Sequence, residues 1–216
     1  MKEKDLLKEG IERLALRFCE EKIEKCLRYL WLLTEEAKRT NLVGTRDRNE
    51  IIKKHIIDSL TLFSVIKRSG RLIDIGTGAG FPGIILAIFS PKRECFLLES
   101  VNRKVRFLKY VKEELSLSNI FIISGRAEDY GRLEGFRESF DYGVIRALGC
   151  LSMCLELGLC FLKTDGRLIV MKGREIEKEV DGAKPALSVL GGEILQIKKL
   201  SLPFIKEDKR HLVVVK

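Results

Sequence analysis

The chain has 216 residues, 45% of them hydrophobic, and carries 40 Lys and Arg against 31 Asp and Glu for a net charge of +9. That size suits one domain with a sizeable core, so no second catalytic domain is expected, and no apolar run approaches the ~18 residues of a membrane span. The cationic surplus fits a polyanionic partner held by phosphate neutralisation or, equally, plain solubility.

Residues 1 to about 69 carry helical periodicity. Leu6, Leu7, Ile11, Leu14, Ala15 and Phe18 recur at three- and four-residue intervals, and Ile23, Cys26, Leu27, Leu30 and Trp31 continue them. The charged start, Lys2-Glu3-Lys4-Asp5, fits an amphipathic helix and not a signal peptide, so a cytoplasmic location is expected. Asp47, with Glu50 three residues on, has the capping-box spacing for a third helix over Ile51–Ile66. These helices are expected to form an N-terminal extension, residues 1–69, packed on a main domain of residues 70–216.

From Arg71 the pattern changes to short strands at 71–75, 95–99, 120–123, 141–145 and 167–171, alternating with helices near 82–89, 102–115 and 150–161. Alternation of this kind predicts an α/β fold with a parallel, doubly wound sheet. The last two strands, about 193–200 and 210–215, have no helix-length spacer between them and can pair antiparallel at one edge. Arg103, Lys104, Arg106, Lys109 and Lys112 share one helix and read most simply as a solvated face. Six cysteines lie in apolar segments without a Cys-x-x-Cys pair and read as buried thiols; with two histidines in the chain, no metal site is expected. Tyr29, Trp31 and Phe63 sit at core-like spacings rather than forming a platform for stacked bases.

The chemistry is sought in Asp74-Ile75-Gly76-Thr77-Gly78-Ala79-Gly80-Phe81-Pro82-Gly83, a strand-to-helix turn. Gly76 and Gly78 permit positive φ and lack Cβ atoms, so a ligand can touch the backbone beside the N–H groups of a helix start. The dinucleotide fingerprint is G-x-G-x-x-G with a pyrophosphate on the helix dipole, whereas here an acid precedes a G-x-G-x-G run. A carboxylate at Asp74 suits a ligand with an ammonium and a sulfonium, which favours S-adenosylmethionine over a nicotinamide cofactor. Glu99, ending the next strand, is placed to accept ribose hydroxyls.

Taken together, Asp74–Gly83, Ser124-Gly125-Arg126-Ala127-Glu128, Asp141–Ala147, Met171-Lys172-Gly173 and the tail from His211 to Lys216 resemble the bacterial 16S ribosomal RNA guanine-N7 methyltransferases, the glucose-inhibited division protein B family. The resemblance extends upstream to Asn41-Leu42 and Lys54-His55-Ile56-Ile57-Asp58-Ser59, and so covers nearly the whole chain from about residue 20. Lys54 stands where an arginine is usual, and Ile145 where a small residue usually precedes the arginine, which alters the packing of the wall beside Arg146. The resemblance implies a class I Rossmann-like methyltransferase with a mostly parallel seven-stranded sheet, S-adenosylmethionine as cofactor, and 16S ribosomal RNA or the small ribosomal subunit as partner. A monomer is expected.

Ligands of open α/β sheets bind beyond the carboxyl ends of the strands, a rule that selects Gly76, Phe81, Glu99, Ala127, Glu128 and Arg146. With Asp74 and Gly78 these are the expected cofactor residues; the resemblance puts Ala127 and Glu128 beside the adenine. Glu128 also reads as an exposed loop acid and Arg146 as half of an ion pair. His55 and Asp58 are spaced to share a helix face with Ser59, yet guanine N7 carries a lone pair and no proton, so no catalytic acid or base is assigned. Positioning alone supplies roughly 7–11 kcal/mol of barrier reduction. Lys54, His55, Lys172, Arg210 and His211 are the candidates for RNA contact; Lys172, Arg210 and His211 read equally as solvated strand-end charges, and His55 reads more simply as a histidine hydrogen-bonded to its own helix. A nicotinamide oxidoreductase and a non-catalytic RNA-binding or assembly protein remain the rival functions.

Overall fold

The computed structural model describes residues 2–40 and 42–216, with side chains for all of these except 206–209. Asn41, part of the upstream match, lies outside the described residues. Helices α1 (Glu3–Arg13) and α2 (Glu20–Glu36) bury the predicted stripe of Leu6, Leu7, Ile11, Ile23, Cys26 and Leu30. The stripe ends early, since α1 stops at Arg13 and Ala15 adopts a φ of +54°. The Asp47 cap forms as predicted, its carboxylate accepting from Asn49 N and Glu50 N, but Glu50 turns to Thr45 and Lys54 instead of closing the box. The helix it opens is irregular: α3 (Arg48–Ile51) widens into a π-helical turn, Ile52–Ile56, before α4 (Ile57–Leu60) and a short 3-10 turn, Thr61–Ser64.

The rest is a βα alternation. It runs β1 (Leu72–Ile75), α5 (Gly83–Phe89), β2 (Cys95–Glu99), α6 (Asn102–Glu114), β3 (Ile120–Ser124), α7 (Ala127–Tyr130) and β4 (Phe140–Arg146), then α8 (Leu151–Gly158), β5 (Leu162–Lys172), α9 (Ile176–Leu190), β6 (Ile194–Leu202) and β7 (Ile205–Val215). The seven strands form one sheet in the order β3-β2-β1-β4-β5-β7-β6, with β7 antiparallel to both its neighbours. The predicted terminal hairpin is thus inserted, its second strand pairing β5 and its first forming the edge. Helix α9 carries no place in the sequence expectation because Gly182 and Pro185 fall inside it and a proline removes an internal hydrogen bond. Burial of Ile176 and Ala183 against α8 and the sheet offsets that loss, and Gly191, at φ +68°, ends the helix.

Both faces of the sheet are covered, as a parallel sheet requires. On one face the N-terminal helices share a cluster with Ile84, Ile85, Leu97 and Leu108; on the other, Ile73, Ile75, Phe140 and Ile145 pack with Leu151 and Leu155. Ile145 is wholly buried there and stands 3.2 Å from where a Cβ on Gly158 would lie, so this departure from the usual small residue is taken up by the α8 side of the core. Two cysteines depart from expectation: Cys26, Cys95 and Cys154 are buried, but Cys19 and Cys150 are exposed because each immediately precedes a helix at the surface. Trp31 also lies outside the core, 41% exposed, with the Arg28 guanidinium 4.5 Å above its ring, while Tyr29 is fully buried.

Candidate functional site

The turn after β1 is closed by hydrogen bonds that the glycines permit. Gly76 and Gly78 hold φ of +70° and +63°, conformations that strain any residue with a Cβ. Gly76 N and Thr77 N both donate to the Leu98 carbonyl, which anchors the turn to the end of β2. Gly78 N donates to Glu99 Oε2 at 2.9 Å, and Val101 N to Glu99 Oε1 at 2.8 Å, so the carboxylate expected at the ribose is fixed by two backbone donors and approached by Lys104 at 3.9 Å. Beyond Gly78 the space is open: an added Cβ would meet nothing closer than the Gly76 carbonyl at 4.0 Å.

Asp74 has a different place from the one expected. Its side chain is 1% exposed and Oδ2 accepts from Thr77 Oγ1 at 2.6 Å and Gly83 N at 2.7 Å, which ties the two ends of the turn together from below. Side chains alternate between the faces of a strand, and Asp74 falls on the face under α5 while Ile73 and Ile75 fall on the other. Burial pushes its carboxyl up to about 7.

Phe81 braces the far side of the turn. Its ring lies between Tyr29 and His55, with centroids 5.3 and 5.1 Å away, and Tyr29 Oη donates to the Ala79 carbonyl at 2.7 Å. The N-terminal helices therefore shape the glycine turn directly. His55 sits in the π-helical turn, and burial, with Arg146 and Arg210 nearby, lowers its pKa to about 4, leaving a neutral imidazole at neutral pH.

A cavity of about 480 Å³ opens over this turn, lined by Gly76, Gly78, Phe81, Glu99, His55 and Arg146 and by the linker residues Leu42, Val43 and Gly44. A smaller one of about 120 Å³ shares Gly76, Ser100 and Leu148 with it and reaches Ala127 and Glu128 beyond β3. Seven of the eight expected cofactor residues thus line one continuous cleft, and Asp74 lies beneath it. The fit to S-adenosylmethionine rests on the backbone left bare at Gly78 and on Glu99, 5% exposed, in the cavity wall.

Arg146 is both things that its sequence position allowed. It lines the cleft, and its Nη2 stands 3.1 Å from Asp58 Oδ2 while donating to the Lys54 carbonyl at 2.7 Å. On its other side lies a third cavity of about 340 Å³, bounded by Asp58, Leu148, Lys172, Glu179 and Arg210. Here two expectations change. Lys172 is 8% exposed, ion-paired with Glu179 at 2.5 Å and bonded to the Gly149 carbonyl; His211 is 7% exposed, with Nδ1 2.8 Å from the Gly173 carbonyl. Neither is a free strand-end charge, because β7 and α9 close over the end of β5. Lys54 is exposed and paired with Glu50, and Arg210 lines the third cavity.

Val43, Gly44, Leu148 and Glu179 line these cavities and carry no motif by which sequence reasoning finds them, whereas Leu42 had a signal in the upstream Asn41-Leu42 match. The Asp58–Arg146 pair had a signal, in two charged residues on separately matched segments, but not the information that they meet.

The family model for rRNA small subunit methyltransferase G, GidB, matches residues 22–213. The chain belongs to that family. A relative named ribosomal RNA small subunit methyltransferase G from Fusobacterium nucleatum is 42% identical over 99% of this chain and 91% of its own length. One of the same name from Alkaliphilus metalliredigens is 37% identical over 100% and 90%. Among solved structures, M. jannaschii TYW2 in complex with AdoMet superposes with a TM-score of 0.59 at 15% identity, covering 74% of each chain, and the B. subtilis tRNA methyltransferase TrmK with 0.57 at 17% identity, covering 74% of this chain and 64% of its own. These likenesses show the Rossmann-like methyltransferase fold. Family membership makes the chain an S-adenosylmethionine-dependent rRNA methyltransferase. Among the described residues, no helix is long and apolar enough to cross a membrane and no group of three or more His, Cys, Asp or Glu could hold a metal.

Proposed function

We propose that this protein transfers the methyl group of S-adenosylmethionine to N7 of a guanine in 16S ribosomal RNA, acting as a monomer in the cytoplasm. The observation that carries the reading is the continuous cleft at the strand ends, in a chain matched by the family over residues 22–213. The cofactor supplies an electrophilic methyl on a sulfonium. The protein supplies position: Gly76 and Gly78 bring backbone against the cofactor, Glu99 accepts its ribose hydroxyls, and Ala127 and Glu128 flank its adenine in the smaller cavity. Arg146, fixed by Asp58 and the Lys54 carbonyl, orients the methionyl end or an RNA phosphate. Asp74 acts from below by holding the turn. Because N7 has no proton to lose, the neutral His55 serves as packing for Phe81 rather than as a base.

In the same reading, residues 1–69 form a helical extension and 70–216 the cofactor domain; the shared core of the two and the Tyr29 contact to Ala79 support treating the extension as a wall of the site. Arg210, in the wall of the third cavity, and Lys54, exposed on the irregular helix, remain the candidate RNA contacts. The deciding experiment is transfer of an isotopic methyl group to unmethylated 16S RNA, naked and in small subunits, with the product mapped by mass spectrometry. Label at guanine N7 is expected; RNA binding without transfer would point to an assembly protein.

A further inference from the structure

We infer that the third cavity, beyond Arg146, is the acceptor pocket, and that Glu179 in α9 reads the guanine by accepting from its N1–H and N2 amino group. The inference rests on the guanine-N7 reading above. The cavity holds about 340 Å³ and lies at the carboxyl ends of β4 and β5, where ligands of such sheets bind. It shares Arg146, Ala147 and Leu148 with the cofactor cavity, so a base entering it comes up to the wall behind which the methyl donor lies.

The lining matches one base in particular. Guanine offers an acceptor at O6 and donors at N1 and N2, while N7 must stay free to attack. Glu179 is a carboxylate on the cavity wall, 27% exposed, and Arg146 faces the same space with a guanidinium fixed by Asp58. A carboxylate pairs with the N1–H and N2 edge, and a cation with O6; adenine and the pyrimidines present no such pair of donors beside an acceptor. Lys172 works as a positioning residue. It bonds to the Gly149 carbonyl and pairs with Glu179, so one ammonium sets both the carboxylate and the loop that follows Arg146. That loop is conformationally held, with Ala147 at φ +57° and Gly149 at φ +95°.

The test compares methyl transfer to 16S RNA carrying guanosine or inosine at the target, inosine lacking only the N2 amino group, in wild type and in Glu179→Gln. The guanosine-to-inosine ratio of kcat/KM is internal to each protein and does not depend on folded yield. S-adenosylhomocysteine affinity reports the donor site separately. The wild-type ratio is expected at about ten- to a hundredfold, the range for a hydrogen bond to a charged group, falling to about two- to tenfold, the range for a neutral one, in Glu179→Gln with S-adenosylhomocysteine affinity unchanged. An equal ratio in both proteins, with N7 product still formed, would overturn the role of Glu179 and leave the function standing. Absence of N7 product from wild type would overturn both.

Discussion

Arg146 and Asp58 form a buried ion pair across the two parts of the chain, Nη2 to Oδ2 at 3.1 Å, with side chains 14% and 2% exposed. The pair joins the irregular helix of the N-terminal segment to the end of β4, where the cofactor cleft meets the acceptor pocket. Removing one partner leaves the other charge buried and uncompensated. Asp58→Ala is therefore expected to cost about 3–5 kcal/mol of stability, measured as a lower urea midpoint at unchanged slope. A loss below about 1 kcal/mol would place the pair among ordinary surface bridges.

At Gly76 two effects oppose a side chain: φ is +70°, and a Cβ would come 2.6 Å from Leu148 Cδ1. Gly76→Val should abolish S-adenosylhomocysteine binding in a protein that still folds. Gly76→Ala with Leu148→Ala should recover part of the affinity lost by Gly76→Ala alone, because the second change removes the contact but not the backbone strain of about 1–2 kcal/mol. Calorimetric titration of the single and double variants measures the coupling, and strict additivity would remove Leu148 from the cofactor wall.

Glu99 holds the turn and faces the cleft at once. Glu99→Ala should weaken S-adenosylhomocysteine binding roughly ten- to a hundredfold, from loss of charge-assisted hydrogen bonds of about 1.5–3 kcal/mol. An unaltered dissociation constant would make the carboxylate a brace for Gly78 N and Val101 N and nothing more.

Two buried groups give stability opposite pH dependences. His55 has its folded pKa lowered from 6.5 to about 4, so the unfolded chain binds more protons between those values and its contribution, complete above pH 6.5, is lost as pH falls towards 4. Asp74, raised from 3.8 to about 7, contributes most below pH 3.8 and loses that contribution as pH rises through 7. The stability of wild type relative to His55→Gln should therefore fall from pH 6.5 to 4. Relative to Asp74→Asn it should rise over the same range. Paired urea titrations at several pH values check both signs, and parallel curves would show that the groups are solvated in the native state.

Lys172 gives a contrast with a true phosphate contact. A cation that neutralises a phosphate contributes about 0.7–0.9 to the slope of log affinity against log salt. Since Lys172 is buried and paired with Glu179, Lys172→Ala should leave the RNA salt slope unchanged while lowering the rate of transfer. A slope flattened by the full amount would return Lys172 to the RNA surface.

The sequence alone determined the alternation of strands and helices, the glycine turn, the acid at the end of β2 and the strand-end residues of the cleft, because each depends on neighbours within a few positions. Periodicity, capping and the φ freedom of glycine are local properties. It did not show α9, whose Gly182 and Pro185 argue against a helix locally and are overridden by burial against α8. Nor did it show which way Asp74 turns, that Asp58 meets Arg146, or that Lys172 and His211 are covered. Those depend on which strand lies beside which: inserting β7 between β5 and β6 is what closes the end of β5, and packing the N-terminal helices on the sheet is what brings Tyr29 to Ala79, His55 to Phe81 and Asp58 to Arg146. Contacts between distant segments are set by the burial of whole faces, and no short window of residues contains that information.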